Sequence, residues 1–319
     1  MTDTRVRFAP VAGGDLAYGD ARPDAPGPAL LAVHGITASH RAWDLVADAL
    51  DTTRVVAPDL RGRGRSNALP GPYGLVDHAD DLARVLDAAG IDRALVAGHS
   101  MGAFVSVRFV ERHPDRVRGL VLVDGGLPLP PPPGIAPEDV PQAVLGPAIE
   151  RLAMRFADRD AYLAFWRRHP GLGPYWNDAI EAYATYDLDG EAPELRSAAN
   201  AEAVGVNALE LDGSAGFATA LADLPGPVDF IRAERGLLDQ PEPLYPAAEV
   251  AVWAARLPGL RVHEARDVNH YTILMTDAGV RHVAPVLADR LARAGGTVPG
   301  APAPGAPEPA AANDPEVAR

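Results

Sequence analysis

The chain contains no cysteine and no lysine among its 319 residues. Without cysteine there is no disulfide, no thiolate nucleophile and no zinc–thiolate site. Without lysine there is no lysine Schiff base, no phosphate-cradling P-loop lysine and no Ser–Lys dyad. All 29 residues counted as Lys+Arg are arginine, and 43 Asp+Glu outweigh them, giving a formal net charge of −14. That balance argues against sequence-independent nucleic-acid binding and against docking on anionic lipid. Long apolar runs are also missing. No stretch is long enough to span a membrane, and Met1 to Pro10 carries charges where a signal peptide would be apolar. The expectation is a cytoplasmic protein acting on a small-molecule substrate, with no nucleic acid, no membrane, no cofactor and no metal. Oligomeric state is left open.

What is present suits a globular enzyme-sized chain: 47% hydrophobic and 23% charged residues, enough to bury one large core. Short β-like runs alternate with helical periodicity. Arg5 to Phe8 and Asp15 to Tyr18 read as an opening hairpin, Ala29 to Val33 as a buried strand running into His34-Gly35, and Ser39 as the cap of a helix ending at Leu50. Strands at Arg54 to Ala57, Ala94 to Ala97 and Leu120 to Val123 alternate with helices at Val76 to Ala89 and Met101 to Arg112. This alternation predicts an α/β fold with a mostly parallel, doubly wound sheet. It breaks at Asp124-Gly125-Gly126. A Pro-rich stretch follows, then a helical, aromatic-dense region from about Gln142 to Leu221. The strand pattern resumes at Val228 to Ile231, with a helix over Ala247 to Arg256, a strand around Val262 and a last helix from about Gly279 to Ala294. The organisation predicted is a core over 1–126 and 226–294, an inserted helical cap over 127–225, and a Pro/Ala-rich disordered tail over 295–319.

The chemistry is carried by Gly98-His99-Ser100-Met101-Gly102, which follows an apolar strand and precedes an apolar helix. A serine on so sharp a strand-to-helix turn needs glycines beside it, because a Cβ at either position would collide with the turn. The helix N-terminus beneath favours developing negative charge. Ser100 is therefore the candidate nucleophile, and it needs a base. Of the nine histidines, His270 lies between the last strand and the last helix, on the carboxyl edge that also carries Ser100. His99 sits inside the elbow and His34 reads as a holder of its loop. Two backbone donors should face the oxyanion: the N–H of Met101, after the nucleophile, and the N–H of Ile36, in the loop His34-Gly35-Ile36-Thr37 after the third strand.

On these marks, with Asp59-Leu60-Arg61-Gly62-Arg63-Gly64-Arg65-Ser66 and Asn269-His270, the chain from about Arg5 to Ala294 resembles the α/β-hydrolase superfamily. The resemblance implies a nucleophile–His–acid triad, with the acid after either of two strands. The later place offers Asp239 and Glu234; many relatives carry Gly-x-x-Asp there, but Gly236 occupies the expected Asp position. The earlier place offers Asp124, sited as in haloalkane dehalogenases that carry their acid after the strand following the nucleophile. A carboxylate ending four apolar residues can be buried and still reach a ring N–H, so Asp124 is preferred, then Asp239, then Glu234; the competing role for Asp124 is a cap for the Gly-Gly turn. Serine at position 100 disfavours the relatives with an Asp nucleophile, the haloalkane dehalogenases and epoxide hydrolases. The activity implied is hydrolysis of an ester, lactone or thioester of a small to medium, largely apolar substrate through an acyl-enzyme. Hydrolytic C–C cleavage of a diketone and a ligand-binding, slow-turnover protein are the alternatives. The arginines 61, 63 and 65 read as structural hydrogen-bonders. Tyr162, Phe165, Trp166, Tyr175, Trp176, Tyr183 and Tyr186 read mostly as the cap's own core, with one or two lining a pocket.

Overall fold

The computed structural model describes residues 4–129, 134–136, 139, 142 and 146–295. Strands β1 (Thr4–Val11) and β2 (Gly14–Ala21) form the expected antiparallel hairpin. β3 (Ala29–Val33), β4 (Val55–Pro58), β5 (Ala94–His99) and β6 (Val117–Val123) follow. β7 (Leu188–Asp189) and β8 (Arg196–Ser197) pair with each other. β9 (Val228–Arg235) and β10 (Leu260–Asn269) complete one eight-stranded sheet, ordered β1-β2-β4-β3-β5-β6-β9-β10. All of its neighbours from β4 to β10 run parallel, while β1 and β2 pair antiparallel. The doubly wound α/β sheet expected from the alternation is thus the one found.

The pattern of β5 explains its central place. All six of its residues are buried, and a strand covered on both faces reads as a near-continuous apolar run, here Ala94 to Gly98 with His99 at its end. Ala94 and Val96 face one hydrophobic cluster, Leu95 and Ala97 the other. On one face lie α2 (Leu75–Ala88) and α3 (Met101–Arg112), through Leu82, Leu86, Phe104 and Phe109. α1 (Asp44–Ala49), before them in the chain, packs on the other face through Val46 and Ala47.

Between β6 and β9 the chain builds α4 (Pro147–Ala153), α5 (Arg159–Arg167), α6 (Asp178–Tyr186), α7 (Ala201–Leu209) and α8 (Phe217–Ala222). α9 (Ala247–Arg256) separates β9 from β10, and α10 (Thr272–Met275) and α11 (Asp277–Gly295) are the last elements among the described residues. The small β7–β8 pair was not expected in this helical stretch. Ser39 departs from expectation as well: its side chain caps nothing, and a 3-10 turn over His40–Trp43 precedes α1. The buried Asp59 carboxylate takes the His40 N–H at 2.9 Å, so the turn has its acceptor from another strand end. β10 runs further than the sequence pattern suggests, because a bulge between Ala265 and Asn269 carries it on, with Asp267 at φ +59°. Of the Pro-rich run, residues 130–133 lie outside the described residues, as does all of the tail beyond Gly295. Among the described residues no helix is long and apolar enough to cross a membrane.

Candidate active site

Register places the site. His99 pairs with Val123 and Val123 with Ile231, so the residues that follow β5 and β6 emerge side by side at the carboxyl edge. Ser100 N–H donates to Val123 O at 3.0 Å, and Asp124 N–H to Ile231 O at 2.8 Å. Ser100 itself is forced into φ +55°, ψ −127°, a region that L-residues rarely occupy. The glycines make this possible. A Cβ on Gly98 would lie 2.3 Å from Gly102 O, and one on Gly102 would lie 2.3 Å from Val33 O. Two further glycines press on the serine from outside the pentapeptide. A Cβ on Gly35 would meet Ser100 Cβ at 3.1 Å, and one on Gly125 would meet Ser100 O at 2.2 Å. Gly125 was legible in the sequence only as part of a turn; its role as the floor beneath Ser100 depends on β5 and β6 being neighbours.

His270 follows β10 and is buried. Its Nδ1 lies 2.7 Å from Asp124 Oδ2, and Asp124 is wholly buried. The other carboxylate oxygen, Oδ1, accepts the Ala233 N–H from β9 at 3.0 Å. A fully buried carboxylate therefore has a ring N–H and a backbone N–H, one per oxygen, which is how a buried charge is kept tolerable. Ser100, half-buried, makes no hydrogen bond through its hydroxyl among the described residues.

The backbone of His270 is held from both sides. Asn269, fully buried, accepts the N–H groups of Tyr271 and Thr272 at 3.0 and 2.9 Å through Oδ1. His99 donates Nε2–H to His270 O at 2.8 Å, and the two rings lie 4.7 Å apart. Burial, and then the neighbouring His270, push His99 well below the usual histidine range, so it stays neutral. The sequence offered no sign of this contact beyond the adjacency of His99 to Ser100.

The other two acid candidates stand elsewhere. Asp239 accepts from Arg235, Tyr175 and the Asn269 side chain at 2.7, 2.9 and 3.0 Å. Burial pushes its carboxyl upward, but these hydrogen bonds outweigh it and hold the group below the ordinary range. Glu234 accepts the N–H of Asp267 at 2.7 Å and so closes the β10 bulge.

The loop after β3 is fixed by His34. Its Nδ1–H donates to Gly35 O at 2.7 Å and its Nε2 accepts the Leu60 N–H at 3.0 Å. Burial pushes its pKa down to about 4, so one neutral tautomer holds both bonds. Gly35 O also accepts Ala38 N–H at 3.1 Å, which orients the peptide whose N–H belongs to Ile36. Met101 opens α3, and the first N–H groups of a helix have no intrahelical acceptor.

Of the aromatics between β6 and β9, Tyr162, Trp166 and Tyr183 are buried in one cluster. Tyr186 donates to Asp59 at 2.7 Å and Tyr175 to Asp239, while Trp176 donates to Glu181 at 3.3 Å under the Arg167 guanidinium. A run of ring contacts leads from Trp166 through His169 and Tyr271 to His270, with centroids 5.6, 5.3 and 5.5 Å apart. Among the described residues no group of three or more His, Asp or Glu side chains is placed to hold a metal ion.

A family model described as alpha/beta hydrolase fold matches residues 28–274. Among curated proteins, the chain is 38% identical over 104 residues to lipase LipV of Mycobacterium tuberculosis, 32% of this chain and 40% of that one. It is 38% identical over 109 residues to epoxide hydrolase B of the same organism, 33% of this chain and 31% of the relative. The chain thus spans about a third of the length of the curated relatives it matches. Solved structures align over far more of it. E-2-(acetamidomethylene)succinate hydrolase covers 89% of this chain and 99% of its own, at TM-score 0.70 and 24% identity. The thioesterase domain from the curacin biosynthetic pathway covers the same shares at TM-score 0.71 and 20% identity. A thermophilic esterase from Thermogutta terrifontis covers 92% of this chain and all of its own, at TM-score 0.63 and 21% identity.

Proposed function

This chain belongs to the alpha/beta hydrolase fold family, and we propose that within it the protein is a serine hydrolase that cleaves esters, lactones or thioesters through an acyl-enzyme. The observation that carries this reading is the buried 2.7 Å contact between His270 Nδ1 and Asp124, formed beside a serine in strained backbone at a strand-to-helix turn. With Nδ1–H committed to a carboxylate, the free Nε2 is the basic nitrogen. Ser100 Oγ attacks the carbonyl carbon as His270 Nε2 takes its proton. The oxyanion is met by the N–H groups of Ile36 and Met101. His270 returns the proton to the leaving alcohol or thiol, and water, deprotonated by the same nitrogen, releases the acid and restores Ser100. An epoxide hydrolase of the Asp-nucleophile kind would need a carboxylate at position 100.

Residues 127–225 act in this reading as a cap that sets substrate choice. The apolar, aromatic-dense composition of this region is the ground for proposing a small to medium substrate with an apolar acyl or alcohol portion; Phe156, Tyr162 and Trp166 themselves are packed into its core. The names of the lipase, the esterase and the thioesterase agree with acyl transfer. A fluorophosphonate probe tests the proposal: it should label wild-type protein at Ser100 and leave Ser100→Ala unlabelled, and ester turnover should fall with the label. Labelling that survives Ser100→Ala would end the assignment. Absence of both labelling and ester turnover in the wild type would favour a binding protein, and labelling without ester turnover would send the search to diketones.

A further inference from the structure

Arg63 is fully buried, and among the described residues no carboxylate pairs with it. Its neighbours take the available acids. Arg61 holds Asp81 through two hydrogen bonds of 3.0 and 2.9 Å, and Asp59 is occupied by His40, the Arg65 N–H and Tyr186. Burying a guanidinium without a counter-ion is costly, so its surroundings bear on what it does. Every oxygen it touches is uncharged. Nε donates to Ile36 O at 2.9 Å and Nη1 to Arg61 O at 2.9 Å. Nη2 donates to Asn207 Oδ1 at 2.8 Å and Ala203 O at 3.3 Å, and lies 3.9 Å from Met101 Sδ. Two of these five contacts are to the residues whose N–H groups form the oxyanion hole of the proposed mechanism, Ile36 and Met101. Two more are to α7. Burial lowers the guanidinium to about 9, so it carries its charge at neutral pH.

We propose that Arg63 is the positioning residue of the oxyanion hole, fixing the Ile36 loop through its carbonyl and holding an uncompensated positive charge against Ile36 O and the Met101 side chain, the two residues that supply the backbone donors. This rests on the serine-hydrolase reading above. A charge held close to the hole in a dry interior interacts most strongly with the oxyanion, which exists in the transition state and not in the substrate. It would therefore raise kcat with little effect on KM. In this the guanidinium differs from a purely structural strut, whose loss lowers stability and the fraction of folded enzyme but leaves the turnover of each intact site alone.

The test compares wild type, Arg63→Lys and Arg63→Met on one p-nitrophenyl ester, with active sites titrated by fluorophosphonate so that kcat refers to functional sites. Arg63→Met should lose about tenfold to a hundredfold in kcat, short of the full cost of a missing donor, with KM within about twofold. Affinity for a trifluoromethyl ketone, which forms a tetrahedral adduct, should weaken in parallel with kcat/KM, and Arg63→Lys should recover most of both. If Arg63→Met does not fold, Arg63→Gln decides, since its amide can reach a carbonyl without bringing charge; it should show the kcat loss. A kcat per titrated site within about twofold of wild type in the folded uncharged variant overturns the inference and leaves the serine-hydrolase reading intact. Wild-type protein that the probe does not label sinks both together.

Discussion

Replacing Asp124 by Asn removes one charge and no volume, and the surroundings decide which way the new amide turns. Oδ1 accepts the Ala233 N–H at 3.0 Å. An amide nitrogen there would set two donors against each other in a buried site, at a cost of about 1–3 kcal/mol. The Asn oxygen is therefore held at Ala233, and its NH2 replaces Oδ2 beside His270 Nδ1, 2.7 Å away in the native protein. Facing a donor, Nδ1 must become the acceptor, which moves the ring proton to Nε2, the nitrogen that should take the proton of Ser100. A histidine locked in the wrong tautomer costs about 10⁴ in kcat, or roughly 5.5 kcal/mol of barrier. Asp239→Asn should cost little by comparison, because Asp239 has no contact with the His270 ring and is tied to Arg235, Tyr175 and Asn269. The assay is kcat on a p-nitrophenyl ester beside thermal unfolding of both variants. A rate loss in Asp239→Asn that exceeds that of Asp124→Asn, measured well below the Tm of both variants, would refute this account of the tautomer.

Acid should destabilise the fold well above the usual carboxylate range. His34 titrates at about 4 in the folded protein against an ordinary histidine value of 6.5, so between those values the unfolded chain binds a proton that the folded one does not; stability is full above about pH 6.5 and declines as pH falls, by about 3 kcal/mol at pH 4 from this residue alone. His78 and His99, both pushed well below the usual range by burial first, add in the same direction, and a Tm that stays level between pH 7.5 and 4.5 would contradict their neutral burial. In the inserted region, Trp166→Ala should alter kcat/KM across a series of acyl chain lengths, through the ring contacts that reach His270, while Trp176→Ala should leave it within about twofold because its ring lies between Arg167 and Glu181. Equal indifference of both variants would reduce the region to a cover.

Most of the fold was legible because strand burial leaves a plain signature: β3, β5 and the end of β6 are apolar on both faces. The Gly-x-Ser-x-Gly turn was legible for a similar reason at Gly98, whose Cβ would collide with Gly102 and Ala103 inside the turn; Gly102 instead answers to Val33 O and His34 O at the end of β3, a long-range constraint. What could not be read is long-range. Gly125 beneath Ser100, Ala233 N–H on Asp124 and His99 on the His270 carbonyl all depend on which strands are neighbours. Nothing local marks them. The same holds for Arg63, a structural hydrogen-bonder by sequence pattern, whose lack of a carboxylate partner among the described residues appears only when Asp59 and Asp81 are seen to be engaged by others. Of the aromatics expected mostly in the cap's own core, Tyr162, Trp166 and Tyr183 are buried and Phe165, Tyr175 and Trp176 pack half-buried against them, while Tyr175 bonds to the half-buried Asp239 and Tyr186 to the buried Asp59.

The departure at Gly236 has a physical counterpart in the loop after β9. A Cβ on Gly236 would fall 2.1 Å from the Gln240 side chain and 2.6 Å from Glu242 O. Gly236 N–H donates to Gln240 O at 3.0 Å, and the Gln240 side chain accepts the Leu238 N–H at 2.8 Å. A loop closed on itself in this way has no room for a carboxylate at 236, and it turns Asp239 towards Arg235 and Tyr175. Asp239 is not thereby idle. It accepts the side-chain N–H of Asn269, whose oxygen in turn takes the N–H groups that follow His270. Two carboxylates thus bear on the same histidine by different routes, Asp124 through the ring and Asp239 through the backbone. Their substitutions should differ in kind as well as in size. Loss of Asp124 changes which nitrogen is basic and so acts on kcat, whereas loss of Asp239 loosens the turn that presents the ring and registers first as lower thermal stability.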